Sequence, residues 1–224
     1  MVEHLRWAAG ELGVVHRFGG ASAVVAAGLS GRDRIAVEGD ADDAVVLVGR
    51  LLAEFGPTYR PFGEAELVRR LVRGVPQLSP GGPEFLWMET SVPPGAPEGV
   101  EWLDAAGERA AGELFREWFP SSHAQPGRAG VGRWAGVRDG DRVSAVAADA
   151  WSAEGCGFLA GVVTRPDARG RGLGAAVSAY VVDFLVRRYG CAALMVDADN
   201  PAAVSAYERV GMSRYVFGVA AVAP

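Results

Sequence analysis

The sequence predicts an α/β protein whose working part is built on a central, mixed and mostly antiparallel sheet, preceded by a smaller α/β domain. Two observations carry this. Three strand candidates follow one another in the second half, and the first two are joined by Asp139-Gly140, a strong hairpin signal. A strand–loop–helix–strand crossover comes next, and such a crossover makes its two strands parallel. With 224 residues, half of them apolar, the chain is long enough for a sizeable core.

The densest cluster of helix and strand breakers is Val92-Pro93-Pro94-Gly95-Ala96-Pro97. It predicts two domains, comprising residues 1–95 and residues 96–224. No catalytic constellation is evident in the first half. Short apolar runs and helical periodicity there predict strands at 22–27, 34–38 and 85–88 and helices at about 42–55 and 64–73.

In the second half, the helix that begins near Asp104 places Trp118 on an apolar stripe with Leu114 and Phe115, and Pro120 ends it. The same patterns predict strands at 100–103, 131–137, 142–148, 157–164, 191–196 and 214–220, and helices at about 104–118, 174–188 and 201–210.

Composition and charge exclude several classes of protein. The net charge of −5 disfavours a nucleic-acid binder, and no stretch of 18 apolar residues predicts a membrane span. Cys156 and Cys191 are expected to be reduced core thiols, and the three His are too dispersed to suggest a metal site. No signal peptide is recognised at the start. We therefore expect a cytoplasmic monomer or homodimer without a metal, acting on neither nucleic acid nor membrane.

The most informative stretch is Val162-Val163-Thr164-Arg165-Pro166-Asp167-Ala168-Arg169-Gly170-Arg171-Gly172-Leu173-Gly174. A strand ends and alternating glycines open a helix, whose free N–H groups and dipole suit a pyrophosphate. The chain has no Lys, which excludes a Walker-type loop, and its GxGxG spacing departs from the dinucleotide fingerprint. What remains is an Arg-x-x-Gly-x-Gly phosphate loop, or a glycine-rich turn that only caps a helix.

A second segment follows the strand–helix–strand unit: Asp197-Ala198-Asp199-Asn200-Pro201, continuing to Tyr207-Glu208-Arg209-Val210-Gly211-Met212. Together the two segments resemble the GNAT superfamily of acyl-coenzyme A-dependent N-acyltransferases, over about residues 101–220. More weakly, the layout of the whole chain is similar to the glycine N-acyltransferase-like branch. In that branch a degenerate GNAT-like half precedes the working domain.

The resemblance implies acetyl-CoA as co-substrate, held where strands 157–164 and 191–196 splay apart. It implies pairing of the pantetheine arm with the strand backbone, and a main-chain N–H near Val162 that polarises the thioester carbonyl. Asn200 would contact the arm, although Asn before Pro201 is also ordinary helix-capping chemistry. Arg169 and Arg171 are equally compatible with solvated charges. The implied binding residues are Val162, Val163, Thr164, Arg169, Gly170, Arg171, Gly172, Leu173, Gly174 and Asn200.

For catalysis, the resemblance assigns Tyr207 to protonate the departing thiolate, although its stripe with Ala203 and Val210 also fits a core tyrosine. Glu154 is the first candidate for general base and Asp149 the second, and both also fit turn residues. His123 reads as a surface residue of a polar loop.

The function expected from the sequence is an N-acetyltransferase that moves an acetyl group from acetyl-CoA to a primary amine by direct attack in a ternary complex. The acceptor is a small-molecule or peptide amine. Two alternatives stay open: a non-catalytic acyl-CoA-binding module, and transfer of a longer acyl group.

Overall fold

A computed structural model describes residues 2–10, 13–140 and 142–223, and it divides the chain into two compact units. The first unit comprises the chain up to Trp87 together with the segment that begins at Arg214, and the second comprises Met88–Ser213. The sequence indicated 1–95 and 96–224 instead. The last strand lies with the first unit because it pairs antiparallel with two strands of that unit.

The first part of the chain forms three helices and six strands among the described residues. In order these are α1 (Glu3–Ala9), β1 (Val14–Phe18), β2 (Ala21–Leu29), β3 (Arg32–Gly39), α2 (Ala41–Phe55), β4 (Arg60–Glu64), α3 (Ala65–Gly74), β5 (Leu78–Pro80) and β6 (Phe85–Thr90).

The remainder carries the predicted elements with small shifts of boundary. They are β7 (Glu101–Trp102), α4 (Ala105–Trp118), β8 (Val131–Asp139), β9 (Arg142–Ala150), β10 (Gly157–Thr164), a 3-10 turn (Pro166–Ala168), α5 (Leu173–Tyr189), β11 (Ala192–Asp197), α6 (Pro201–Arg209) and β12 (Ser213–Val222).

The sheet of the first unit has the order β1-β2-β3-β4-β12, with β5 also on β12. β1, β2 and β3 are antiparallel neighbours, β3 and β4 are parallel, and β12 is antiparallel to β4. Its core lies between this sheet and the helices α2 and α3 and includes Ile35, Leu51 and Leu71, all buried. Asp40 caps α2, since its carboxylate accepts from the N–H groups of Asp42 and Asp43.

The sheet of the second unit has the order β11-β10-β9-β8-β7. Only the β10–β11 pair is parallel, and the other three pairs are antiparallel, which confirms the mixed, mostly antiparallel sheet. The hairpin at Asp139-Gly140 is also confirmed, because Asp139 pairs with Arg142. Asp104 caps α4 by accepting the Gly107 N–H at 2.8 Å. Cys156 and Cys191 are buried free thiols, as expected.

Four elements of the first unit escaped the sequence patterns: α1, β1, β4 and β5. α1 has only seven residues, and β5 only three. β1 is an edge strand with two exposed valines, Val14 and Val15, so no alternation of buried and exposed residues marks it. β4 contains Pro61 and Gly63, both of which are depleted in strands. None of the helices in the described parts of the chain is both long enough and apolar enough to cross a membrane.

The two units share one order of elements. In the first, three antiparallel strands lead into a helix, a parallel strand and a second helix: β1-β2-β3-α2-β4-α3. The second unit repeats this order as β8-β9-β10-α5-β11-α6. Each unit therefore contains a helical crossover between two parallel, neighbouring strands.

The first unit encloses a histidine in an aromatic cage. The His4 ring packs against Phe62, Trp87 and Phe217, at centroid distances of 5.9, 6.1 and 5.0 Å. Its Nε2 lies 3.2 Å from the Val37 carbonyl oxygen and donates to it in the neutral ring. Burial lowers the pKa of His4 to about 4.

This pKa makes stability depend on pH. Below pH 6.5 His4 becomes protonated in the unfolded chain, whereas in the folded protein it stays neutral until about pH 4. The free energy of unfolding therefore decreases as the pH falls through this range. Between pH 7 and pH 5 we expect His4 to cost about 2 kcal/mol of unfolding free energy. His4→Gln keeps an N–H donor but does not titrate. Urea unfolding at both pH values is expected to show a smaller loss in the variant, and equal losses would contradict this role.

Candidate active site

The site begins where two parallel strands separate. The register of β10 and β11 pairs Gly157 with Ala192 and Phe158 with Ala193, near the start of both strands. β10 continues to Thr164 and β11 to Asp197. A cavity of about 430 Å³ borders the last part of β10. We call it the splay cavity, and its lining residues are Trp118, Phe119, Val162, Val163, Thr164, Arg169, Gly174, Asn200, Ala202, Ala203, Ala206 and Tyr207.

A bulge in β10 lies beside this cavity. Ala160 pairs with Ala148 but Val163 with Val146, so β10 holds one residue more than β9 between these pairs. Gly161 sits in the bulge with φ of +63°. A Cβ on Gly161 would lie 2.5 Å from Cη2 of the buried Trp134 and 3.2 Å from Cβ of Ala124. The bulge therefore needs glycine for both its backbone angle and its space.

The glycine loop connects β10 to α5 through the 3-10 turn and two left-handed residues. Gly170 and Gly172 have φ of +76° and +77°, and a Cβ on either would meet nothing within 4 Å. Both glycines are thus required for backbone conformation rather than for close packing. Gly174 differs, because a Cβ there would lie 3.3 Å from Oγ1 of Thr164.

The first turn of α5 presents unpaired donors. Gly172 is its N-cap and supplies no side-chain acceptor, and the Ala176 N–H donates to the Gly172 carbonyl at 3.0 Å. The N–H groups of residues 173–175 precede that bond, so the helix itself offers them no acceptor. With the partial positive charge of the helix end, these N–H groups are suited to an anion.

The two arginines of the loop occupy different surroundings. Arg169 lines the splay cavity, and its Nε donates to the Thr164 carbonyl oxygen at 3.3 Å. Arg171 instead borders a separate cavity of about 290 Å³ and lies 3.4 Å from a carboxylate oxygen of Asp139. Only Arg169 is thus directed to the splay cavity.

The wall from α6 brings Asn200 and Tyr207 to the same cavity. Asn200 is the N-cap, and its Oδ1 accepts the Ala203 N–H at 3.1 Å, while Pro201 opens the helix. Asn200 therefore caps α6 and also lines the cavity. Tyr207 is buried yet lines the cavity, and its burial raises its pKa above the ordinary value. Its hydroxyl is therefore a proton donor that stays neutral over the physiological pH range.

Five residues of the cavity were not predicted from the sequence, and they are Trp118, Phe119, Ala202, Ala203 and Ala206. The helical stripe placed Trp118 in the core with Leu114 and Phe115, which are buried, but Trp118 and Phe119 are each 45% exposed. The signal that could have found them is Pro120. A helix that must end there frees its last side chains from the packed stripe.

The candidate bases lie elsewhere. Glu154 is exposed in the tight turn between Ala153 and Cys156, ahead of the start of β10, whereas the cavity borders the opposite end of that strand. The structure thus does not bring Glu154 to Tyr207. His123 is exposed in the loop after α4.

Asp149 belongs to a polar cluster on the other face of the sheet. Its neighbours Ala148 and Ala150 join the core under α4, so alternation turns Asp149 away from it. Ser152 Oγ donates to the carboxylate and accepts the Phe158 N–H at 2.8 Å. Burial raises the pKa of Asp149, and the hydrogen bond from Ser152 and the charge of Arg133 partly offset this.

Splayed parallel strands, a bulged strand, an uncapped helix behind a glycine loop and a buried tyrosine on one cavity define the architecture of an acyl-coenzyme A-dependent acyltransferase. The family model described as Acetyltransferase (GNAT) family matches residues 96–212, more than half of the chain. The chain belongs to this family, as the two sequence motifs predicted. The likeness to the glycine N-acyltransferase-like branch stays a prediction.

Solved structures with this fold match nearly all of the chain. A putative GNAT acetyltransferase from Novosphingobium aromaticivorans covers 98% of this chain and 97% of its own at 20% identity, with a TM-score of 0.62. A GCN5-related N-acetyltransferase from Kribbella flavida covers 99% and 93% at 18% identity, with a TM-score of 0.63. These likenesses confirm the mixed α/β fold, including that of the first unit.

Curated relatives match over a shorter span. The mycothiol acetyltransferase of Streptomyces avermitilis is 29% identical over 160 residues, which are 69% of this chain and 51% of that protein. That of Streptomyces scabiei is 31% identical over 160 residues, with the same coverage. The Mycobacterium avium enzyme is 31% identical over 131 residues, 55% of this chain and 36% of its own. The chain thus spans about half the length of these relatives, or less.

Proposed function

We propose that this protein is an N-acetyltransferase that transfers the acetyl group of acetyl-CoA to a primary amine within a ternary complex. The observation that carries the proposal is the splay cavity, which places the bulged strand, the first turn of α5 and Tyr207 around one space. Family membership and the relatives named as acetyltransferases support acyl transfer as the class of reaction.

The residues present fit coenzyme A. The N–H groups at the start of α5 lack acceptors within the helix, which suits a pyrophosphate, and Arg169 adds a positive charge on the same side. Beyond Phe158, the register pairs no further β10 residue with β11. Backbone groups of Val162 and Thr164 are therefore positioned to pair with the two amides of a pantetheine arm, as an added strand would. The bound thioester would supply an activated acetyl group.

Each protein group then has one task. The Val162 N–H, at the bulge, donates to the carbonyl oxygen as negative charge develops on it, and such a donor is typically worth about 3 kcal/mol. The amine nitrogen forms the new bond to the carbonyl carbon while the carbon–sulfur bond breaks. Tyr207 gives its proton to the departing sulfur. An ordinary phenol is less acidic than a thiol by about 1.5 pKa units, and the burial of Tyr207 raises its pKa further. The transfer therefore depends on position and on coupling to bond breaking.

The amine must lose a proton before or after attack. Glu154 lies outside the splay cavity, so we propose for it at most a role through intervening water, with release to solvent as the direct route. Small-molecule and peptide amines both remain within the proposal. The mycothiol acetyltransferases are relatives of this chain and favour the former.

Ligand-dependent stability tests the proposal. Acetyl-CoA or desulfo-coenzyme A at 100 times its dissociation constant is expected to add about 2.7 kcal/mol to the unfolding free energy, whereas NAD adds nothing. Arg169→Gln is expected to weaken coenzyme binding roughly tenfold, in the range of a charge-assisted hydrogen bond. The matched control is Arg209→Gln, whose guanidinium bonds Ser205 Oγ and does not line the cavity.

Free-thiol release with a panel of amines follows. If neither coenzyme compound raises the unfolding midpoint, the glycine loop is a helix cap and the proposal fails. If both raise it but no amine releases thiol, the alternative of a non-catalytic acyl-CoA-binding module replaces it. Faster turnover with longer acyl-CoA thioesters than with acetyl-CoA would show that the transferred group is a longer acyl group.

A further inference from the structure

Two large aromatic side chains stand exposed inside the splay cavity. Trp118 and Phe119 end α4, each is 45% exposed, and both line the cavity. Isolated surface hydrophobic residues are ordinary, but adjacent aromatic faces in a cavity are a feature of ligand sites. The α6 wall of the same cavity is made largely of alanines, Ala202, Ala203 and Ala206, which leave its volume open.

The position of this pair points to the acceptor side. The segment that follows it packs over the bulge, since Ala124 Cβ would lie 3.2 Å from a Cβ on Gly161. The bulge holds the proposed carbonyl-polarising N–H of Val162. The anion site at the start of α5 lies beyond the far end of β10, after Thr164. The aromatic pair is therefore next to the end of the site where the acetyl group is transferred.

The pair is held in place by its own loop. The Ser122 N–H donates to the Phe119 carbonyl oxygen at 3.1 Å. The Gln125 side-chain amide donates to the carbonyl oxygens of Pro120 and Ser122 at 2.8 and 3.0 Å. A loop tied in this way presents its aromatic faces at low entropic cost when a ligand binds.

We propose that Trp118 and Phe119 determine acceptor specificity. The acceptor is a primary amine joined by a short chain to an aromatic ring, and this ring stacks on the two side chains. This rests on the proposed acetyltransferase function. Stacked or edge-to-face aromatic pairs bind more tightly than their buried area alone explains, whereas an aliphatic ring of the same size gains only the area. The amine then lies beside the bulge, within reach of the polarised carbonyl.

The test compares two amines of matched length: 2-phenylethylamine and 2-cyclohexylethylamine. Their dissociation constants are measured by calorimetry on the full chain saturated with desulfo-coenzyme A, so the readout needs no turnover. We expect 2-phenylethylamine to bind roughly five- to tenfold more tightly. Trp118→Leu and Phe119→Leu are each expected to reduce this preference to within about twofold, with the KM for acetyl-CoA unchanged. Tyr215→Leu, an exposed aromatic residue of the first unit, is the control and keeps the preference.

Equal or tighter binding of the cyclohexyl amine would overturn the proposal, because the cavity would then select area and not aromatic faces. A rise in the KM for acetyl-CoA in Trp118→Leu would overturn it too, by assigning the rings to the acyl donor. Failure of the underlying function looks different: neither coenzyme compound then raises the unfolding midpoint, and no amine in the panel releases thiol.

Discussion

Tyr207→Phe is expected to lower kcat about a hundredfold, the lower end of the usual contribution of a general acid. The substitution removes only the hydroxyl, and the phenyl ring fills the same buried position on α6. The dissociation constant for acetyl-CoA should therefore change less than about twofold. Stopped-flow or plate-based thiol release measures kcat, and ligand-dependent unfolding measures binding.

The pH profile sharpens this test. Because burial raises the pKa of Tyr207, its hydroxyl remains protonated well above neutral pH, and the variant should lose rate equally at pH 7 and pH 9. Tyr215→Phe makes the same chemical change on an exposed residue and should leave kcat unaltered. An unchanged kcat in Tyr207→Phe would show that the sulfur takes its proton from water.

Gly161→Ala should strongly destabilise the second unit. The left-handed φ of +63° and the 2.5 Å approach to Trp134 act together, and we expect a loss of about 3 kcal/mol in unfolding free energy. The melting midpoint should then fall by roughly 6–12 °C. Displacement of the Val162 N–H should lower kcat/KM about a hundredfold in the protein that remains folded.

Two further variants separate the local clash from a general effect. Gly112→Ala adds a methyl group in α4 where nothing lies within 4 Å, and should raise stability by roughly 0.5–1 kcal/mol. In a Trp134→Phe background the indole atoms that meet the new methyl are gone. Gly161→Ala should then cost about 1–2 kcal/mol less than in the native background. Strict additivity of the two changes would contradict the contact.

The sequence predicted those parts of the site that depend on local order along the chain. The glycine loop is one example, because Gly170 and Gly172 adopt left-handed angles that only glycine accepts easily. Asn200 before Pro201 is another, since an N-cap and a first-turn proline are read from adjacent residues. The order of strands and helices in the second half follows from hydrophobic periodicity in the same way.

The parts that were missed depend on contacts distant in sequence. Gly161 was not singled out, because its constraint comes from Trp134, which lies on another strand. Trp118 follows the periodicity of its helix and still lies outside the core, because the cavity replaces the packing partner that the stripe requires. Glu154 precedes β10, whereas the splay cavity borders the last part of that strand, and the sequence alone does not show where the cavity lies.

The proposed anion site relies largely on main-chain N–H groups, which every residue except proline supplies. The side chains of Leu173 and Ala175 are therefore not needed to hold the anion, whereas the left-handed torsion angles of Gly170 and Gly172 set the path of the loop. A single base change in either glycine codon can replace it by alanine and impose strain on the loop. A descendant of this gene could in that way lose its ligand in one step while it keeps every helix and strand.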